Sequence, residues 1–215
     1  MWRVSSVLSL SGLSTPHAAM DESYRERGRA VHSACEALAA GFSPDVDEAH
    51  QGYIDALRLW FQKESPTIVA MERRIVNRLL GLTGRIDLVV VLDGKIYVVD
   101  VKTGSPALWH RWQVALYAIL VCDDRELWRQ VSDSDLVKDA SRQMSDPLVI
   151  GRADLYLSAD GNPRWKPHTD PSDFYIARSA LALLHARHDA GLLQYVDPEN
   201  PDDDTAAVQT ADVAF

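Results

Sequence analysis

The most strongly patterned part of the chain is the stretch 88–101, where nearly all residues are apolar and the main interruption is Asp93-Gly94-Lys95. An Asp-Gly pair between two apolar, β-branched runs is typical of a two-residue β-hairpin turn. The pattern therefore predicts a hairpin with strands over 84–92 and 95–102.

Both faces of this hairpin are apolar, because strand side chains alternate between the two sides of a sheet. Strands that are apolar on both sides belong to the centre of a sheet that is covered by helices. One predicted face carries Val89, Val91, Ile96 and Val98, and the other carries Leu88, Val90, Leu92, Tyr97, Val99 and Val101.

The rest of the chain adds helices on both sides of the hairpin and further strands. Apolar residues at helical spacing predict helices over 20–41, 45–62, 107–122 and 173–193. Further strands are predicted over 67–80, centred near Glu72, and over 148–157, with a short paired segment at 163–167. The polar stretch 123–145 is compatible with either helix or loop. This order of elements predicts an α/β fold, with a central mixed β-sheet flanked by helices.

The length of 215 residues suits one domain, which we expect over 1–195.

The two cysteines, Cys35 and Cys122, provide neither a disulfide framework nor a zinc or iron–sulfur ligand set, as expected of a reducing compartment. The N-terminal segment 1–13 is too interrupted by Ser and Gly to predict a signal peptide. No apolar run approaches the length of a membrane span. We therefore expect a cytoplasmic protein that does not bind membranes.

The net charge of −9 argues against a nucleic-acid-binding surface. Part of this charge lies in the Pro-rich segment 196–215, which is predicted to be a flexible acidic tail. The position of charged patches also matters more than their total, so the objection is weak. The acidic residues of this segment are Asp197, Glu199, Asp202, Asp203 and Asp204.

Two acidic residues interrupt the apolar hairpin. If Asp93 and Gly94 form the turn, Asp87 lies directly opposite Asp100, with their Cβ atoms roughly 4.5–5.5 Å apart. Lys102 follows Asp100 on the same face. A buried Asp–Lys ion pair is one interpretation, but a single lysine cannot neutralise two carboxylates. The three residues together favour a metal site.

These residues and several others resemble the PD-(D/E)XK nuclease superfamily, specifically its RecB-like exonuclease branch. The resemblance spans residues 28–117 and implies a restriction-endonuclease-like core. The motifs that carry it are Gly28-Arg29-Ala30-Val31-His32 with Glu36, then Glu72, Gly84-x-x-Asp87, Asp100-Val101-Lys102-Thr103-Gly104, and Gln113-x-x-x-Tyr117.

The resemblance implies that Asp87 and Asp100 bind one or two Mg²⁺ or Mn²⁺ ions. It adds His32 as a nitrogen ligand and the carbonyl oxygen of Val101 as an oxygen ligand. Lys102 is expected to orient the attacking water or to stabilise the transition state. The supporting or substrate-binding residues are expected to be Glu36, Glu72, Arg85, Gln113 and Tyr117.

The function implied is a metal-dependent DNA nuclease, more specifically an exonuclease of recombination, repair or end-processing, such as phages and mobile elements encode. The alternatives are an endonuclease of the same superfamily and a non-catalytic module that binds DNA or protein. The partners expected are DNA and either a recombination protein or a second copy of the chain. The chain lacks the four cysteines of the iron–sulfur members. It also lacks a phosphate-binding loop, so no ATP hydrolysis is expected.

Overall fold

The computed structural model describes residues 1–14, 21–132, 137, 143–144 and 146–193. Within these residues, the strands are β1 (Trp2–Arg3), β2 (Thr67–Asn77), β3 (Leu82–Leu92), β4 (Lys95–Lys102), β5 (Gly151–Leu157) and β6 (Pro163–Pro167). The α-helices are α1 (Val4–Leu10), α2 (Glu22–Ala39), α3 (Gln51–Glu64), α4 (His110–Cys122), α5 (Arg125–Ser132) and α6 (Ser172–Asp189). A 3₁₀-helix, Glu48–His50, precedes α3.

The six strands form one mixed sheet in the order β1-β3-β4-β5-β6, and β2 pairs with β3. The β2–β3, β3–β4 and β5–β6 pairs are antiparallel. The β1–β3 and β4–β5 pairs are parallel, and the long connection from β4 to β5 contains α4 and α5. The predicted α/β architecture, a mixed sheet flanked by helices, is confirmed.

The sheet separates two apolar cores. Helices α1, α4, α5 and α6 pack on one face together with Val89, Val91, Ile96 and Val98. Helices α2 and α3 pack on the other face, where Leu88, Val90, Val99 and Val101 are buried. The two predicted faces of the hairpin are therefore the two sides of the sheet, and β3 and β4 lie at its centre.

The hairpin turn has the predicted register. Leu92 pairs with Lys95, and the ladder continues to Leu88 opposite Val99. Asp93 and Gly94 both have positive φ, 50° and 76°, as a type I′ turn requires.

Several segments outside the hairpin add to the sequence-based predictions or differ from them. The N-terminal segment, for which no element was predicted, forms β1 and α1, and Trp2 lies fully buried in the core. Helix α3 begins at Gln51 rather than at 45, because the 3₁₀-helix lies before it. In the ambiguous stretch 123–145, α5 is helical over Arg125–Ser132. The predicted acidic tail, 196–215, lies outside the described residues.

Among the described residues, no helix is long and apolar enough to cross a membrane.

Candidate active site

Asp87 lies where the β3–β4 ladder ends, one position beyond the Leu88–Val99 pair. Its Oδ2 atom accepts a hydrogen bond of 2.7 Å from the backbone N–H of Val101. The carboxylate thus accepts a hydrogen bond from a main-chain N–H of β4, as a carbonyl oxygen of a paired strand would, and this bond holds it in a fixed position against β4. The backbone group of Val101 that contacts Asp87 is its N–H, whereas the resemblance assigned a role to its carbonyl oxygen.

A histidine and a glutamate from two other elements lie beside Asp87. His32 Nδ1, from α2, is 2.9 Å from Glu72 Oε1 and 3.6 Å from Asp87 Oδ1. One donor atom from each of these three residues lies within 4.8 Å of the others. Elements that are far apart in the chain therefore bring an imidazole and two carboxylates together.

Glu72 reaches this position through an unusual backbone conformation. It lies in the middle of β2, between the Met71–Leu88 and Arg73–Ile86 pairs, yet its φ is +45°. A non-glycine residue in this left-handed region carries a cost of about 1–3 kcal/mol and persists only where the surrounding structure imposes it. Such strain concentrates at functional sites.

Asp100 and Lys102 form a second part of the site, on the neighbouring strand. The Lys102 ammonium forms an ion pair with the Asp100 carboxylate and donates a hydrogen bond of 2.9 Å to Gln113 Oε1. Gln113 Nε2 in turn donates to the hydroxyl of Tyr117, at 3.1 Å. The lysine also lies over the ring of Trp109, with Nζ 5.2 Å from its centroid. These contacts fix the direction of a partly buried cation.

The electrostatics of the site reflect several buried acids in a small volume. The carboxylate of Asp87 raises the pKa of His32 to about 9. Burial raises the pKa of Asp87 to about 7, although the charge of His32 acts in the opposite direction. Burial acts to lower the pKa of Lys102, but the carboxylates of Asp100 and Asp87 outweigh it and raise that pKa. The acids therefore hold both neighbouring bases in their protonated forms.

A sequence model of the PD-(D/E)XK nuclease superfamily matches residues 2–191, which is most of the chain. The chain belongs to this superfamily. Among solved structures, the chain is similar to an alkaline exonuclease (LHK-Exo) from Laribacter hongkongensis and to LHK-Exo in complex with dAMP. For each, the identity is 12%, the TM-score is 0.40, and the similarity covers 88% of both chains. No curated protein sequence matches the chain.

PD-(D/E)XK nucleases use divalent metals, and the donor set of this chain fits a hard divalent cation. The carboxylates of Glu72 and Asp87 supply oxygen atoms, which Mg²⁺ and Mn²⁺ prefer, and His32 supplies an imidazole nitrogen that Mn²⁺ tolerates. A cation would also relieve the repulsion between these carboxylates. The structure groups Asp87 with His32 and Glu72, whereas Asp100 contacts Lys102.

The remaining residues selected from the superfamily motifs are not part of this donor group. Arg85 Nη1 is 3.9 Å from Glu72 Oε2, and its side chain is 58% exposed. Glu36 is exposed on α2, and its side chain makes no hydrogen bond or ion pair among the described residues. Gln113 contacts Lys102, and Tyr117 contacts Gln113, as described above.

The sequence-based reasoning missed a buried acid on β5. Asp154 pairs in parallel register with Asp100 and is fully buried. Its Oδ2 accepts from the Tyr156 hydroxyl at 3.0 Å and lies 2.7 Å from His168 Nε2, while Oδ1 has no hydrogen-bond partner within the described part of the chain. The sequence does show an aspartate inside the apolar run of β5. It could be assigned to the site only by knowing that β5 lies next to β4.

A second histidine joins this network. His110 Nδ1, at the start of α4, is 2.7 Å from the Tyr156 hydroxyl. Burial lowers the pKa of His110 to about 3, with a further contribution from the charge of Lys102. His110 is therefore neutral at physiological pH, whereas Lys102 is a cation at this end of the site.

Proposed function

We propose that the protein is a metal-dependent DNA exonuclease that acts at DNA ends formed in recombination, repair or end-processing. The observation that carries this proposal is the arrangement of His32, Glu72 and Asp87 around one small volume, with the Asp100–Lys102 pair beside it. Membership of the PD-(D/E)XK nuclease superfamily supports phosphodiester hydrolysis as the chemistry.

His32, Glu72 and Asp87 would hold the divalent ion, with Asp100 beside them on β4. When bound, such an ion lowers the pKa of a coordinated water and offsets negative charge that develops on the phosphate. Asp87 is held ready for this role by the N–H of Val101, so that little reorganisation is needed when the ion binds.

Lys102 has a separate role. Asp100 and Gln113 hold its ammonium, and its raised pKa keeps it protonated at physiological pH. A fixed positive charge of this kind stabilises the additional charge that a phosphodiester gains in its transition state. Tyr117 positions Gln113, which in turn positions the lysine.

The test is degradation of end-labelled linear DNA and covalently closed circular DNA with Mg²⁺, Mn²⁺ or EDTA. We expect loss of the linear DNA alone, abolished by EDTA and by Lys102→Ala. Lys95→Ala is the matched control, because Lys95 lies on the same strand but at the exposed turn. Cleavage of the covalently closed circular DNA would indicate an endonuclease rather than an exonuclease. Folded protein without cleavage of either substrate would favour a non-catalytic module.

A further inference from the structure

A cavity of about 560 Å³ opens next to the site. Its wall is formed by α2, the start of α3, the loop that follows Lys102, and the end of β5 with its turn into β6. The lining residues include Tyr24 and Arg27 from α2, Tyr53 from α3, and Thr103 and Gly104, which directly follow Lys102. The volume is within the range of ligand-binding pockets. The cavity therefore continues the site along α2 and the β4–α4 loop.

The cavity is formed by a close approach of the backbone. A Cβ atom at Gly52 would overlap the carbonyl oxygen of Ala159, so only glycine allows α3 to approach the β5–β6 turn this closely. This approach places Tyr53, the next residue, in the wall of the cavity. The cavity is thus built into the fold rather than being a gap between loosely packed loops.

The chemistry of the lining differs from that of the rest of this acidic chain. Among the described residues, the lining contains two arginines and three tyrosines and no carboxylate. The guanidinium of Arg27 lies 4.6 Å from the ring centroid of Tyr24 and 5.2 Å from that of Tyr53. The guanidinium of Arg164 lies 5.1 Å from the ring centroid of Tyr156. The cavity thus offers positive charge and aromatic surface together.

Neither arginine is neutralised within the described part of the chain. Both lack an ion pair with a carboxylate there, in contrast to Arg25 and Arg29 on the same helix, which pair with Glu22. Arg27 Nε is buried and has no hydrogen-bond partner among the described residues. A buried N–H of this kind is costly unless a ligand accepts its hydrogen bond.

We infer that this cavity binds an unpaired DNA strand where that strand enters or leaves the cleavage site. Arg27 and Arg164 would contact phosphates, and the rings of Tyr24 and Tyr53 would stack on bases. In a duplex the bases are stacked inside the helix and cannot enter a concave wall, whereas single-stranded bases can turn outward. This inference rests on the proposed function and adds to it that the substrate is single-stranded where it meets the enzyme.

The test measures binding apart from cleavage. A fluorescein-labelled oligothymidylate of about 12 nucleotides is titrated with the full chain in EDTA, and fluorescence anisotropy is followed at several salt concentrations. We expect Tyr53→Ala to weaken binding roughly 5- to 100-fold, and Tyr53→Phe, which keeps the ring, to retain the affinity. Arg27→Gln and Arg164→Gln should each reduce the salt slope by about one.

Arg178→Gln is the charge-matched control, because Arg178 is exposed on α6, on the opposite face of the sheet. Circular dichroism melting shows whether each variant is folded. The inference is overturned if the cavity variants bind like Arg178→Gln, or if a duplex of equal length competes as well as the single strand. Cleavage without these binding effects would leave the nuclease proposal intact. Binding through the cavity without cleavage would overturn only the nuclease proposal.

Discussion

The protons held by the site give a quantitative test of metal binding. His32 and Asp87 have pKa values of about 9 and about 7, and both must lose a proton before they can bind a cation. Binding of Mn²⁺ should therefore release about two protons at pH 6, where both groups are protonated, and about one at pH 8, where His32 still holds its proton. The Mn²⁺ affinity accordingly rises with pH, up to about pH 9.

Isothermal titration calorimetry in two buffers of different ionisation enthalpy measures this proton release directly. Below pH 7 we expect the affinity to rise about 100-fold per pH unit, and between pH 7 and 9 about tenfold, because two protons and then one are displaced. A release well below one proton at pH 8 would refute the reasoning, since the His32 imidazole would then not be displaced from its protonated form.

The cause of the raised pKa of His32 can be tested in the metal-free protein. The Asp87 carboxylate makes the largest contribution to the raised pKa of His32, so Asp87→Asn should shift the His32 titration towards 6.5. Histidine NMR titration of the metal-free protein measures the shift, and His32→Gln assigns the signal. An unchanged midpoint in Asp87→Asn would contradict the assignment of the shift to this contact.

Three further predictions concern single side chains. Gln113→Leu should slow cleavage about tenfold or more with unchanged Mn²⁺ affinity, because it removes a hydrogen bond to a charged lysine. Asp154→Asn should shift the alkaline limb of the pH–rate profile to lower pH, because its carboxylate contributes to the raised pKa of Lys102. Gly52→Ala should destabilise the fold by about 1–3 kcal/mol, measured as a lower Tm, because the added Cβ meets the backbone of Ala159.

The centre of the fold could be predicted from sequence because its signals are local. The Asp93-Gly94 turn sets the register of the hairpin, and the alternation of its side chains assigns them to the two cores. The helix boundaries were less predictable. A 3₁₀-helix lies where the predicted helix was expected to begin, just before α3. The apolar residues of 1–13 belong to the core through Trp2 and α1, but their packing partners come from elsewhere in the chain and cannot be identified from the local sequence.

The candidate site was predictable only in part, for a related reason. Asp87, Asp100 and Lys102 lie within one hairpin, whose geometry follows from its turn. Asp154 reaches the site through a parallel pairing across the long connection between β4 and β5, and local patterns do not encode such a pairing. The cavity next to the site likewise depends on how α2 and α3 pack against the β5–β6 turn.

The left-handed conformation of Glu72 has a consequence for protein engineering. At φ +45°, Gly or Asn would fit the backbone better than Glu, so selection for heat tolerance in the absence of metal should favour these replacements. The same replacements would remove a carboxylate that contacts His32. Thermal selection and selection for activity should thus diverge at this position, and a thermostable variant of this chain should be screened for retention of Glu72.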